Sequence, residues 1–345
     1  MIIAVLVTLI AVLLYTPLVK RLAVLLGAID KPNYRRINTR NVPRLGGLAI
    51  VAAFMTGLLI AKPTNEDLLP ILIGALVITI AGVLDDLLDI TAKAKLFFQF
   101  VAAGIVIVFG GLHIEFINLP FGGQLDFGYL SIPLTFIWII GITNAINLID
   151  GLDGLAAGVS MIASGTLAVM AVIMQDSFVI VMAVLLAVSC AGFLFYNFYP
   201  AKIFMGDSGS LFLGYMISVL ALLGFKNVTI ISLVIPILIL GIPILDTLFA
   251  IVRRVKNNQP ISAPDMLHLH HCLINTGFSH RQSVLLIYVG SILLGGAAIL
   301  FSQATVWGAL VITIIILLVM ELIVETLGLA GKNYRPILGL VRQRK

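Results

Sequence analysis

Charge is what this sequence has least of: of 345 residues, only 11% are Asp, Glu, Lys or Arg, against roughly 25% in a soluble domain. With 61% hydrophobic residues and a mean hydropathy of +1.16, that shortage excludes an ordinary soluble enzyme, a disordered chain and a nucleic-acid binder. Cysteine is nearly absent as well. Cys190 lies in an apolar run and Cys272 beside a histidine cluster, settings too dissimilar for a disulfide framework. No internal repeat and no low-complexity linker divide the chain, so residues 1–345 read as one integral-membrane domain. The net charge of +5 says less about partners than the placement of the charges does.

Long apolar runs are what the chain has in abundance. A bilayer core of about 30 Å needs roughly 20 apolar residues per helix. Runs fall at about 1–19, 46–61, 69–84, 96–110, 131–149, 155–174, 178–198, 208–225, 229–252, 282–301 and 304–324. The expected fold class is therefore all-α and polytopic, with about eleven transmembrane helices. Residues 1–19 lack a basic stretch before the apolar run and an A-x-A-like site before Lys20 and Arg21. They read as a first span rather than a cleaved signal peptide.

The basic residues test this topology. Eleven spans with the N-terminus outside place residues 20–45, 85–95, 150–154, 199–207, 253–281 and the C-terminal tail from 328 in the cytoplasm. Those segments hold nineteen of the 21 Lys and Arg residues, and only Lys62 and Lys226 fall outside. The one sizeable external segment, 111–130, has alternating apolar residues flanking Gly122-Gly123 and suggests a small external β-hairpin. Pro236 and Pro243 favour a kink in the span at 229–252. A bent helix opening a gap toward lipid and simple relief of packing strain both fit.

The acids are equally uneven. Asp85, Asp86 and Asp89 close the third run, Asp150 and Asp153 follow the fifth, Asp207 precedes the eighth, Asp246 lies late in the ninth, and Asp265 sits in the long loop. Acids are costly in hydrocarbon, so clusters at the membrane edge call for a function. In LDDLLDI, like charges at i, i+3 and i, i+4 repel unless a cation or proton offsets them. A hard divalent ion such as Mg²⁺ suits that role; a solvated helix end suits the spacing too. In NAINLIDGLDGLAAG, Asn144, Asn147, Asp150 and Asp153 recur every three residues and track one side of a helix end, an array suited to a polar ligand. KIFMGDSGSLFLG resembles a loop feeding a helix N-terminus, a favourable place for phosphate. Asp207 fits there as a metal bridge to a pyrophosphate or as a plain N-cap. In HLHH, residues 268–271, the three histidines suit phosphate contact, zinc, proton relay or an ordinary surface.

Taken together, DDLLD, NxxNxxDGxDGL, FMGDSGSLFLG and HLHH, in this order among eleven spans, resemble the polyprenyl-phosphate N-acetylhexosamine-1-phosphate transferases. The first loop, DKPNYRRINTRNVPRLGG (30–47), is similar too, with Asn38 standing where that loop often carries histidine. HLHH with the preceding PDM (264–266) looks like the N-acetylglucosamine-1-phosphate branch; the branch using UDP-MurNAc-pentapeptide typically shows three consecutive histidines.

The resemblance implies a bacterial inner-membrane enzyme with its active site facing the cytoplasm. Its reaction would be undecaprenyl phosphate plus UDP-GlcNAc giving undecaprenyl-diphospho-GlcNAc and UMP, the first membrane step of a cell-envelope glycan. Mg²⁺ is the implied cofactor, with Mn²⁺ as the alternative ion, and Asp207 and Asp150 are its implied ligands. Asp85, Asp86, Asp207 and Lys95 carry the implied catalytic roles. The implied substrate-binding set is Asn144, Asn147, Asp150, Asp153, Phe204 (stacking on uracil), Lys93, His268, His270 and His271. The implied partners are the UDP-sugar, the lipid phosphate and the bilayer, with no nucleic acid. Small residues at Gly295-Gly296-Ala297-Ala298 permit close packing within or between protomers, which leaves room for a homodimer.

Two rivals are weighed against this reading. A phospho-MurNAc-pentapeptide transferase would keep the chemistry and change the donor. An ion-coupled transporter would place its acids near the bilayer midplane and show inverted repeats, whereas these acids gather at helix ends.

Overall fold

A computed structural model of the chain describes residues 1–30, 41–114, 116–118, 123–224, 230–260, 265, 267–328 and 336. The expectations placed on Asn38 and its neighbours, Gly122, Lys226, Pro264, Met266 and the basic tail lie outside the described residues. Helices dominate: α1 (Ile2–Leu25), α2 (Gly47–Ala61), α3 (Leu68–Leu88), α4 (Ala92–Phe109), α5 (Ser131–Ile149), α6 (Leu155–Ile173) and α7 (Ser177–Asn197). They continue as α8 (Asp207–Gly224), α9 (Ile230–Ile239), α10 (Gly241–Lys256), α11 (Leu269–Asn275), α12 (His280–Gln303) and α13 (Val306–Leu327). Two antiparallel strand pairs interrupt them. β1 (Ile29–Asp30) pairs with β2 (Val42–Pro43), and β3 (Phe116–Asn118) with β4 (Gln124–Asp126).

Each apolar run is helical, but the eleven expected spans are not eleven equal helices. Among the described residues, nine helices are long and apolar enough to cross a membrane. α2 has only 15 residues, about 22 Å at 1.5 Å per residue, short of the hydrocarbon thickness. The run at 229–252 breaks at Leu240, where the backbone leaves helical geometry between α9 and α10. α10 also carries Asp246, Arg253, Arg254 and Lys256, too polar for a span of its own. The chain is an all-α polytopic membrane protein built from long and partial helices.

α8 forms the core. It packs against α2, α3, α5, α6 and α7, and 83% of its apolar stretch is buried, against 6% for the outermost α13. Small residues allow this centrality. A β-carbon on Gly47 would lie 2.0 Å from the Gly209 backbone, so α2 and α8 cross at van der Waals contact of main chains. Buried hydroxyls need partners where no water competes. Thr8, Thr16, Thr79, Thr135, Thr143 and Ser189 therefore bond back to the carbonyl four residues earlier.

At one end of the bundle, residues 43–47 run alongside 204–205. Phe204 N–H donates to the Pro43 carbonyl at 2.8 Å, Gly46 N–H to Phe204 at 2.9 Å and Gly47 N–H to Met205 at 2.8 Å. The first loop thus braces the segment that leads into α8.

Candidate active site

Three helix ends meet at that brace. α3 ends in Asp85 and Asp86, only 8% and 2% exposed. α8 begins at Asp207, and its first N–H groups have no intrahelical acceptor. Asp86 supplies one from another helix: its two oxygens accept from Asp207 N–H at 2.9 Å and Ser208 N–H at 3.0 Å. Gly206 makes this fit possible. Its φ is +72°, and a β-carbon there would sit 2.5 Å from Asp86 Oδ2.

Lys95 joins the other two acids. Its Nζ lies 2.7 Å from Asp85 Oδ2 and 2.6 Å from Asp207 Oδ2, and Thr91 caps its helix by accepting from Ala94 N–H. One ammonium thus holds two carboxylates that would otherwise repel. Lys93 is exposed and does not line the cleft. Asp89 parts from the other acids because α3 stops at Leu88. Asp89 takes φ +48° and binds Arg44 at 2.8 Å, while Arg44 Nε donates to the Asp86 carbonyl at 2.9 Å.

The NxxNxxDGxDG segment divides in the same way. Asn144 is locked in a reciprocal amide clasp with Gln99 (3.1 and 2.7 Å), and Asn147 donates to Ser210 Oγ at 2.8 Å. α5 then ends at Ile149, so Asp150 and Asp153 leave the face shared by the two asparagines. Asp153 Oδ2 accepts from Ala201 N–H at 2.8 Å, which ties down the loop after α7. Asp150 faces a cleft of about 750 Å³ that Asp86, Asp153 and Asp207 also line. Removal from water, followed by the negative charges of Asp207, Asp86 and Asp153, pushes the Asp150 carboxyl up to about 8.

The histidines part company too. Of the three in HLHH, only His271 lines the cleft. His270 is buried with Nε2 against Gly151, and burial, then the neighbouring His271, pull its pKa down to about 3. It is neutral at physiological pH. His268 pairs with Asp246 at 2.8 Å. Cys272 Sγ lies by the Leu267 carbonyl, away from the cleft.

The far wall holds residues to which sequence reasoning assigned no role. His280 Nε2 accepts from Asp153 N–H at 3.0 Å, its ring packs 4.4 Å from Tyr199, and Arg281 lies over the same ring while donating to the Tyr199 carbonyl. Sequence distance hid His280, which is 127 residues from Asp153. The only signal for Arg44 was its place in the first-loop motif, and for Asp246 its place among the clustered acids.

Among the described residues, no three His, Cys, Asp or Glu side chains form a ready-made metal site. The donor set nevertheless suits a hard divalent cation. Asp150 crowds three other carboxylates in the cleft, and Asp207 already holds a cationic group in Lys95.

Fold and cleft together define a polytopic membrane protein with an acid-rich site where its helix ends converge. A family model described as glycosyl transferase family 4 matches residues 68–225. The chain is 48% identical to the probable undecaprenyl-phosphate N-acetylglucosaminyl 1-phosphate transferase of Bacillus subtilis (strain 168), over 97% of this chain and 94% of that protein. It is 35% identical to the decaprenyl-phosphate N-acetylglucosaminephosphotransferase of Mycobacterium leprae (strain TN), over 86% of this chain and 84% of the relative. Identity is 27% to the undecaprenyl-phosphate alpha-N-acetylglucosaminyl 1-phosphate transferase of Escherichia coli O157:H7, over 85% and 82%. The chain belongs to glycosyl transferase family 4.

Proposed function

We propose that the protein transfers GlcNAc-1-phosphate from UDP-GlcNAc to undecaprenyl phosphate, giving undecaprenyl-diphospho-GlcNAc and UMP. The single observation that carries this reading is the meeting of Asp86, Asp150 and Asp207 on one cleft, with Lys95 bridging Asp207 to Asp85, in a chain 48% identical to the Bacillus protein of that name. An oxygen of the lipid phosphate attacks the phosphorus that bears the sugar. The phosphoanhydride bond to the α-phosphate breaks, and its electron pair leaves on UMP. A lipid phosphate is already largely anionic near neutral pH, so direct attack requires no strong general base. The work of the protein is then positioning and charge neutralisation.

Asp150 and Asp207 would hold Mg²⁺, or Mn²⁺ in its place. When bound, the ion supplies charge neutralisation for the diphosphate and for departing UMP. Lys95 steadies Asp207 and offers its ammonium to a phosphate. Asp86 keeps the start of α8 in place, and Asp85 shares Lys95. Phe204, held by the first loop and lining the cleft, offers a ring to uracil. His271 meets the sugar diphosphate. The catalytic loops 20–45, 85–95, 150–154, 199–207 and 253–281 face the cytoplasm, with the N-terminus and the β3–β4 pair outside. The distribution of Lys and Arg supports that orientation.

The test is UMP release by detergent-purified protein given undecaprenyl phosphate and UDP-GlcNAc, with Mg²⁺ or with EDTA. UMP formed only with lipid phosphate and metal is the expected result. Preference for UDP-MurNAc-pentapeptide would replace the donor, and no UMP from either donor would refute the reaction.

A further inference from the structure

Asp246 lies on α10, outside the cleft, and is only 4% exposed. A buried carboxylate costs several kcal/mol unless its charge is met by donors. Here both oxygens are engaged. Oδ2 stands 2.8 Å from His268 Nδ1, and Oδ1 accepts from the Leu269 backbone N–H at 2.7 Å. Because a carboxylate oxygen can only accept, Nδ1 of His268 carries the proton, and the tautomer and ring plane are set together.

The consequence reaches the cleft through stacked rings. The His268 ring lies parallel to His270, 6.0 Å away with an interplanar angle of 4°, and His270 packs 4.3 Å from His271. His270 abuts Gly151 of the Asp150 loop, and His271 enters the cleft. α11, which carries His270 and His271 and is preceded at its N-cap by His268, has only seven residues. So short a helix has little stability of its own and depends on outside anchors.

We propose that Asp246 is a positioning residue. It acts through His268 and the start of α11 to hold the row of rings, so that His271 stands against the sugar-diphosphate part of the donor. The inference rests on the transferase reading above.

The test compares Asp246→Asn, His268→Gln and the double variant of the full-length protein in detergent, by steady-state UMP release at saturating Mg²⁺. Asn keeps the shape but presents an N–H₂ to one of the two donors. Each single variant is expected to lower kcat/KM for UDP-GlcNAc by about 10- to 100-fold, the scale seen when outer groups that orient a histidine are removed. The KM for lipid phosphate is expected to stay within about twofold, and the double variant to lose no more than about threefold beyond the worse single one. Effects that multiply in the double variant, or that raise both KM values alike, would reduce Asp246 to a folding residue and overturn the proposal. So would wild-type kcat/KM in Asp246→Asn. If Asp246→Asn gives no monodisperse protein, Asp246→Glu carries the test: the retained carboxylate is expected to give a smaller, donor-specific loss, and a wild-type donor KM overturns the proposal. Wild-type protein that releases no UMP would instead remove the transferase reading itself.

Discussion

Gly206→Ala is the sharpest perturbation of the site, since it adds one methyl group and no charge. Position 206 has φ +72°, a left-handed conformation that costs an L-residue with a β-carbon about 1–2 kcal/mol. The new carbon would sit 2.5 Å from Asp86 Oδ2, well inside contact distance, so the carboxylate must withdraw. Its withdrawal strands the Asp207 and Ser208 N–H groups, a capping loss of about 0.5–2 kcal/mol. Together these give a destabilisation of about 1.5–4 kcal/mol, read by equilibrium unfolding in mixed micelles. Activity is expected to fall further than stability, because the same shift moves Asp207 away from Lys95, and an error of about 1 Å in positioning can cost about 100-fold. Gly165→Ala is the control: nothing lies within 4 Å of its added carbon, and mid-helix Ala is favoured over Gly by up to about 1 kcal/mol. A Gly206→Ala protein within about 0.5 kcal/mol of wild type that keeps half its rate of UMP release would refute the capping argument.

Three further outcomes follow from the same geometry. Asp207→Asn is expected to abolish turnover even at saturating Mg²⁺, and a near-wild-type rate would remove Asp207 from its role. His270, with its pKa lowered from 6.5 to about 3, is neutral in the folded protein and takes up a proton on unfolding at acidic pH. Its contribution is intact above pH 6.5 and is lost as pH falls toward 3, at up to about 1.4 kcal/mol per pH unit; His270→Gln is expected to flatten that part of the stability profile. Breaking the Gln99–Asn144 clasp is expected to cost about 0.6–2 kcal/mol: Asn144→Leu strands Gln99, and the Gln99→Leu, Asn144→Leu pair recovers part of the loss. Additive losses in the double variant would argue against the clasp.

Composition and periodicity were enough to read a polytopic helical membrane protein, because transfer into hydrocarbon depends on local runs of side chains and hardly on their neighbours in space. The same logic located the acids at helix ends, where water remains within reach, and their motifs sufficed to identify the family. Helix continuity was harder to read. The run at 229–252 looks like one span, yet it breaks at Leu240 and continues as the polar α10.

Only the tertiary structure separated roles within each motif. Asp85 and Asp86 are adjacent in the chain, but one shares Lys95 and the other caps a helix that begins 121 residues later. Asn144 and Asn147 share a spacing with Asp150 and Asp153, but only the acids line the cleft. Of the three histidines, only His271 does. Partners such as Lys95 with Asp207 and His280 with Asp153 lie 112 and 127 residues apart. Whether a carboxylate meets a lysine, a backbone N–H or open solvent is settled by the packing of helices around α8, and no local pattern of residues encodes that meeting.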